Sequence, residues 1–206
     1  MNPDRVIVLC AYYRCGSTAL CEHYSKKYNI SNNDEMFFHD ADPNQVIQTL
    51  EKNPKYVLKI MSDQWVKNTS NTHKEYIMDI CAKDTTKIVL LYRKNIAESV
   101  LSIAHCNHTS VWHNKENTIN NSEINILVQK ALTKYTKEYI TDIKYANQML
   151  DYIRPAEVIE YEEIFKLPNQ KFKKSISNNY YNQAQKQLAK QLTSQLVYDG
   201  KYFNII

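Results

Sequence analysis

A polar turn within residues 6–24 carries the side chains best suited to chemistry in this sequence. It separates an apolar run from a segment with helical spacing. Such a turn directs backbone N–H groups and the positive end of the helix dipole at whatever binds there. The sequence therefore predicts an anion site for phosphate or sulfate. The five residues of the turn are Arg14, Cys15, Gly16, Ser17 and Thr18.

The turn departs from the nucleotide-binding P-loop at positions that matter for triphosphate chemistry. Against the pattern G-x-x-x-x-G-K-[ST], residues 11–18 keep the second Gly and the final hydroxyl, but Ala11 replaces the first Gly and Ser17 the Lys. The apolar run at residues 87–92 ends in Arg93, where a Mg²⁺-binding Asp would be expected. A nucleoside or small-molecule kinase is therefore the alternative prediction.

Short apolar runs alternate with segments of helical spacing along the chain. Runs that are nearly all apolar and rich in β-branched residues are typical of parallel strands covered on both faces. This alternation predicts a doubly wound α/β fold, with a parallel sheet flanked by helices. Residues 1–206 are predicted to form a single domain. The four predicted strands are residues 6–11, 56–60, 87–92 and 157–161.

Composition and charge limit the classes of function. With 206 residues, 43% hydrophobic and 23% charged, the chain can bury one sizeable core, and its net charge of +4 fits an anionic ligand or an ordinary solvated surface. The 16 tyrosines occur without a nucleic-acid-binding module, so nucleic acid is not a predicted partner. Without a signal-peptide pattern or a membrane-spanning apolar run, and with scattered cysteines, we expect a cytoplasmic protein with reduced thiols.

The segment YRCGSTALCE resembles the 5'-phosphosulfate loop of sulfotransferases that use 3'-phosphoadenosine 5'-phosphosulfate (PAPS). The usual form of that loop is Pro-[Arg/Lys]-Ser-Gly-[Ser/Thr]-Thr followed by a hydrophobic helix. Two positions depart from it, because Tyr13 stands for Pro and Cys15 for Ser. The resemblance implies that the five turn residues bind the donor and that Arg14 also stabilises charge on the transferred sulfuryl group.

A second segment, KIVLLYRKNIAESVLSIA, is similar to the family's 3'-phosphate site, a strand ending in Arg followed by a helix that carries Ser. Arg93 fills the first role and Ser102 the second, with Ser99 on the same helix as the alternative. The segment KFKKSISNN is loosely similar to the loop that closes over the nucleotide. Lys173 and Lys174 are therefore further candidates for contact with the 3'-phosphate.

Two more segments, DEMFFHD and YVLKIMSDQW, resemble the bacterial branch typified by trehalose 2-sulfotransferase. They imply that Glu35 is the general base and contacts the acceptor. Lys59 is predicted to neutralise the donor or hold the acceptor. Asp34 is an alternative carboxylate, and His105 or His108 an alternative base, with His105 also a candidate acceptor contact.

The resemblance implies a P-loop-like form of the α/β fold and the reaction R–OH + PAPS → R–OSO₃⁻ + adenosine 3',5'-bisphosphate (PAP). The expected acceptor is a hydroxyl of a carbohydrate, a glycolipid or another small molecule. Two strand-to-helix turns, each with an arginine and a hydroxyl, suit a donor with an anionic group at each end. No metal is required in this scheme. The histidines around Cys106 lack a second paired element at zinc spacing, so a zinc site is not predicted there. A PAP-binding protein without catalysis is the remaining alternative.

The role of Glu35 can be tested by removing its proton acceptor. A general base typically contributes about 10²–10⁴ in rate, so Glu35→Gln should lower single-turnover sulfuryl transfer by that order and leave PAP affinity near wild type. Asp34→Asn is the matched control and should change little, because adjacent residues of an extended segment point to opposite sides. Near-normal transfer in Glu35→Gln would move the base to His105 or His108.

Overall fold

The computed structural model of the protein describes residues 2–33, 36, 42–67, 70–110, 120–164, 166 and 179–206. The described residues fall into two compact units. One lies within Met1–Tyr92 and Asp142–Leu167, and the other within Arg93–Thr141 and Pro168–Ile206. The single domain over residues 1–206 stays a prediction.

A parallel sheet organises the first unit. Its strands, among the described residues, are β1 (Arg5–Cys10), β2 (Ser31–Asn32), β3 (Tyr56–Met61), β4 (Thr86–Tyr92) and β5 (Glu157–Glu160). They lie in the order β2-β3-β1-β4-β5. Strand β1 is central, because Cys10 pairs with Met61 of β3 on one side and with Leu91 of β4 on the other. The predicted α/β class with a parallel sheet is confirmed.

Helices separate the strands in the βαβ order that the sequence predicts. The described helices are α1 (Ser17–Tyr28), α2 (Pro43–Lys52), α3 (Ser62–Lys67), α4 (Asn71–Cys81), α5 (Ile96–Thr109), α6 (Asn121–Lys130), α7 (Thr136–Leu150), α8 (Tyr161–Ile164) and α9 (Asn179–Gln191). A π-helical turn, Ala131–Tyr135, joins α6 to α7. The sequence pattern did not distinguish this turn from an unbroken helix.

Both faces of the sheet are buried, as the apolar strands predict. Val6, Val8 and Cys10 of β1 belong to one cluster with residues of α1. Ile7 and Leu9 alternate with them and therefore point to the opposite face. All five side chains are inaccessible to solvent.

The second unit is built from helices and one hairpin. Helices α5, α6 and α9 pack together, and β6 (Leu196–Tyr198) pairs with β7 (Phe203–Ile205) in antiparallel register. Neither α9 nor this hairpin was predicted from the sequence. Within the described ranges, no helix combines the length and apolar character needed to cross a membrane.

A partly buried charged cluster ties the start of β5 to α1 and β4. The Glu157 carboxylate accepts a hydrogen bond of 2.9 Å from Tyr24 Oη and lies 2.5 Å from Lys87 Nζ. Burial acts to raise the pKa of Glu157, but the hydrogen bonds from Lys87 and Tyr24 outweigh it and the pKa is lowered. The cluster therefore favours the ionised carboxylate in the folded state.

Because the pKa of Glu157 is lower in the folded than in the unfolded state, ionisation stabilises the fold at neutral pH. This contribution should decrease below about pH 4.3, the ordinary Glu value, and vanish below the folded pKa. Glu157→Gln should be less stable than wild type at pH 7 by about 1 kcal/mol or less, since the carboxylate is 39% exposed. Urea unfolding between pH 7 and pH 2.5 measures the difference.

Glu22→Gln is the control, because Glu22 pairs with Lys26 at 3.9 Å on the surface. A difference that persists at pH 2.5 would contradict the electrostatic origin.

Candidate anion-binding site

The predicted anion-binding turn follows the central strand of the sheet. Residues 11–16, named the β1–α1 loop here, connect Cys10 to Ser17. From β1 the chain continues to β2 on one side of the sheet, and from β4 it continues to β5 on the other. In sheets of this kind, ligands bind beyond the carboxyl ends of the strands, where the strand order reverses. The β1–α1 loop lies at such a strand end.

Two residues of the loop have left-handed backbone. The φ angle is 63° at Arg14 and 86° at Gly16. This conformation costs a residue with a side chain about 1–2 kcal/mol, so the surroundings must hold Arg14 in place. At Gly16 a Cβ would also lie 2.7 Å from Tyr161 Cδ2 and 3.0 Å from Ile164 Cδ1. Both the backbone and the close packing of α8 therefore require glycine at this position.

Helix α1 begins without a capping side chain, unlike several other described helices. Helices α2, α4, α5 and α6 each begin with a side chain that accepts a hydrogen bond from a backbone N–H, whereas Gly16 occupies this position in α1. The first N–H groups of a helix have no partner within the helix. The start of α1 is therefore suited to donate hydrogen bonds to an anion. The four caps are Asp42, Ser70, Asn95 and Asn120.

A buried lysine lies in the sheet face that the loop covers. Lys59 is 4% exposed and lies on the same face of β3 as Val57 and Met61, which pack in the cluster that contains Cys10 and Cys15. Its positive charge acts to lower the pKa of both thiols, although at Cys10 burial outweighs it. Lys59 therefore supplies a positive charge near a loop that lacks the P-loop lysine.

The two thiols of this cluster differ in their ionisation. The pKa of Cys15 is lowered, mainly because its sulfur accepts a hydrogen bond from Cys10, and further by Lys59 and by the backbone N–H groups of Cys15 and Ser17. Burial opposes this effect at Cys15. At Cys10, burial raises the pKa well above the ordinary value. The loop environment thus favours negative charge at Cys15.

Helix α3 anchors the start of the loop. Ser62 Oγ donates a hydrogen bond of 2.7 Å to the carbonyl oxygen of Ala11. Tyr13 Oη donates one of 2.9 Å to Asp63 Oδ2. Ser62 and Asp63 were not predicted as part of the site. They lie in the segment YVLKIMSDQW, which resembles the family, but only Lys59 of that segment was given a role.

Arg93, the second predicted arginine, is engaged in an ion pair. It follows the last residue of β4 and is 5% exposed. Its guanidinium group pairs with the carboxylate of Glu98 in α5. Glu98 also accepts a hydrogen bond from Gln185 Nε2 of α9. An anion at Arg93 would therefore share the guanidinium group with Glu98.

Both candidate serines of α5 are buried. Ser99 Oγ donates a hydrogen bond of 2.9 Å to the carbonyl oxygen of Asn95, one turn earlier in the chain. Ser102 lies on the same helix, three residues further on. Which of the two serines would bind an anion stays a prediction.

The histidines considered as alternative bases make contacts within the second unit. His105 is buried, and its ring contacts the ring of Tyr181 edge-on, with 5.3 Å between centroids. His108 Nε2 lies 3.3 Å from Glu123 Oε1. Both contacts join α5 to a neighbouring helix, so both histidines have a structural role.

Several predicted residues lie outside the described residues: Asp34, Glu35, Lys173 and Lys174. Their predicted roles stay predictions.

All five cysteines are free thiols. Within the described part of the chain, no group of three or more His, Cys, Asp or Glu side chains is placed to hold a metal ion.

No protein-family model matches this chain, and no curated protein matches its sequence. Its function must therefore be inferred from the residues and the geometry described above.

The Arg93–Glu98 pair predicts a specific pattern of stability. Arg93→Ala should lower the free energy of unfolding by about 3 kcal/mol, the lower end for a buried pair, because it leaves the part-buried carboxylate of Glu98 without this cation. The double variant Arg93→Ala/Glu98→Ala should be more stable than Arg93→Ala, since it removes the unpaired charge as well. Urea unfolding measures these two variants and the single variant Glu98→Ala. A double variant that loses the sum of the two single losses would show that the ion pair is not the cause.

Proposed function

We propose that this protein is a PAPS-dependent sulfotransferase that transfers a sulfuryl group to a hydroxyl of a carbohydrate, a glycolipid or another small molecule and releases PAP. The observation that carries the proposal is the β1–α1 loop. Its left-handed residues Arg14 and Gly16 lead from a central parallel strand into a helix that no side chain caps. The combination provides backbone donors, a helix dipole and a guanidinium group for a sulfate or phosphate.

The charges near the loop favour a phosphosulfate over a Mg²⁺-bound triphosphate. Ser17 stands in place of the P-loop lysine, and β4 is followed by Arg93 and not by a metal-binding Asp. The usual triphosphate chemistry depends on both of the missing groups. The buried ammonium group of Lys59 supplies positive charge from the neighbouring strand. The position of the loop after central β1 also supports a P-loop-like form of the fold.

The proposed transfer is an in-line displacement at sulfur. A bond forms between the acceptor oxygen and sulfur while the bond between sulfur and the 5'-phosphate oxygen of the donor breaks. Arg14 and the N–H groups at the start of α1 stabilise the negative charge that develops on the leaving oxygen and the sulfuryl group. The acceptor proton passes to a general base, for which the family resemblance implies Glu35.

For the 3'-phosphate of the donor we propose Arg93 and Ser102, with Lys173 and Lys174 as further contacts. The pairing of Arg93 with Glu98 orients the guanidinium group, which carries five N–H donors in all. The buried Ser102 belongs to the helix that follows Arg93. The assignment of these residues to the 3'-phosphate comes from the resemblance.

Ligand-dependent thermal stability tests the proposal. PAP at about 100 times its Kd, without Mg²⁺, should raise Tm by roughly 5–10 °C, because ligand binding at that ratio stabilises a fold of this size by about 2.7 kcal/mol. ATP with Mg²⁺ should raise Tm far less. A larger effect of Mg-ATP would favour the kinase instead.

Two arginine variants control this experiment. Arg14→Ala should reduce the PAP-dependent shift, whereas Arg154→Ala, at an exposed position after α7, should retain it. Mass spectrometry of candidate acceptors incubated with PAPS then tests turnover. PAP binding without any sulfated product across the acceptors would favour a PAP-binding protein without catalysis.

A further inference from the structure

Asp63 is hydrogen-bonded to the residue that precedes the strained Arg14. Tyr13 Oη donates to Asp63 Oδ2 at 2.9 Å, and Asp63 is 7% exposed. A buried carboxylate needs hydrogen-bond donors, because an unpaired buried charge is strongly unfavourable. We infer that Asp63 is a positioning residue, which keeps the β1–α1 loop in its anion-binding conformation through Tyr13.

The register of the sheet places this contact beside the loop. Met61, the last residue of β3, pairs with Cys10, the last residue of β1. The next two residues after Met61 both hold the loop, since Ser62 binds the carbonyl oxygen of Ala11 and Asp63 binds the Tyr13 hydroxyl. The loop is therefore held by hydrogen bonds on the N-terminal side of Arg14.

On the C-terminal side of Arg14, the loop is held by packing. The side chains of Tyr161 and Ile164 in α8 leave no room for a Cβ at Gly16. Cys15, between Gly16 and Arg14, is fully buried. With both neighbours fixed, Arg14 is kept at its positive φ angle. Of these contacts, the Tyr13–Asp63 hydrogen bond is the polar contact closest in sequence to Arg14 on its N-terminal side.

Tyr13 stands where the resembled loop has proline. A proline ring fixes its own φ angle near −65°, which tyrosine does not do. The hydrogen bond to Asp63 restricts the residue before Arg14 through its side chain instead. The inference rests on the proposed function for the identity of the ligand, but the loop conformation can be tested without a ligand.

Tyr13→Phe removes the hydrogen bond and keeps the aromatic ring. We expect PAP affinity, measured by isothermal titration calorimetry, to fall about tenfold, because loss of this bond lowers the fraction of molecules whose loop is in the binding conformation and the apparent affinity falls with that fraction. Asp63→Ala should have a similar effect. Asp63→Asn should lose less, since its amide oxygen still accepts a hydrogen bond from Tyr13. The double variant Tyr13→Phe/Asp63→Ala should lose no more than the weaker-binding single variant, since both act through one bond.

The chain offers a matched control in Tyr24→Phe. This substitution removes another hydrogen bond of 2.9 Å between a tyrosine and a carboxylate, that of Tyr24 with Glu157. We expect it to lower Tm and leave PAP affinity unchanged. Unchanged PAP affinity in Tyr13→Phe and Asp63→Ala would overturn the inference, as would slower sulfuryl transfer at unchanged PAP affinity, which would give Asp63 a direct role in the reaction.

Hydrogen exchange in the ligand-free protein separates this inference from the proposed function. The backbone amides of residues 12–18 should exchange faster in Tyr13→Phe than in wild type, and at the wild-type rate in Tyr24→Phe. If wild-type protein binds no PAP, the proposed function fails while the exchange experiment still tests the loop. Unchanged exchange in Tyr13→Phe would show that Asp63 does not hold the loop.

Discussion

The positive φ angle at Arg14 is the constraint on which the candidate site depends. The chain leaves a fully buried central strand and must turn at once, because α1 packs against the sheet face that carries Val6, Val8 and Cys10. Gly16 adopts the left-handed conformation easily, but Arg14 does not. The contacts from α3 and α8 provide the compensation that such a residue requires. The conformation that places an arginine next to an uncapped helix end is thus maintained by elements distant in the chain.

The environment of the β1–α1 loop favours negative charge. Its effect is visible at Cys15, whose pKa is lowered by the hydrogen bond from Cys10, by Lys59 and by two backbone N–H groups. These are the kinds of group that bind a sulfate or phosphate. A thiolate and a bound anion are both negatively charged, so both are stabilised by hydrogen-bond donors and by nearby positive charge. Among these groups, Lys59 supplies a positive charge near a loop that lacks the P-loop lysine.

The second unit shows that a predicted ligand contact can also be part of the structure. Arg93 forms a buried ion pair with Glu98, which is itself hydrogen-bonded to Gln185. Glu98 further belongs to the first turn of α5, where its backbone N–H donates to the Asn95 side chain. The pair links the residue after β4 to two helices of the second unit. Any anion bound by Arg93 would act on a guanidinium group already oriented by this network.

The sequence by itself determined the class of fold and the candidate loop. Four strands of the sheet were predicted close to their observed bounds, because a short apolar run between polar turns is a local property of the chain. Strand β2 and the hairpin β6–β7 were missed, since elements of two or three residues are too short to show a period. Gly16 was identified by its motif, but the side chains of Tyr161 and Ile164 that exclude a Cβ there were not.

Only the tertiary structure decided which residues hold the loop and how its charges are compensated. Asp63 is 50 residues from Tyr13 in the chain, and they meet because β1 and β3 pair in parallel with Cys10 opposite Met61. Lys59 was predicted to neutralise the donor or hold the acceptor, and the fold adds that it is buried in the sheet face near Cys15. Side-chain alternation is a local property, but the register between strands depends on how the whole core packs. For that reason the sequence indicated an anion-binding turn, and only the fold assigned the groups that shape it.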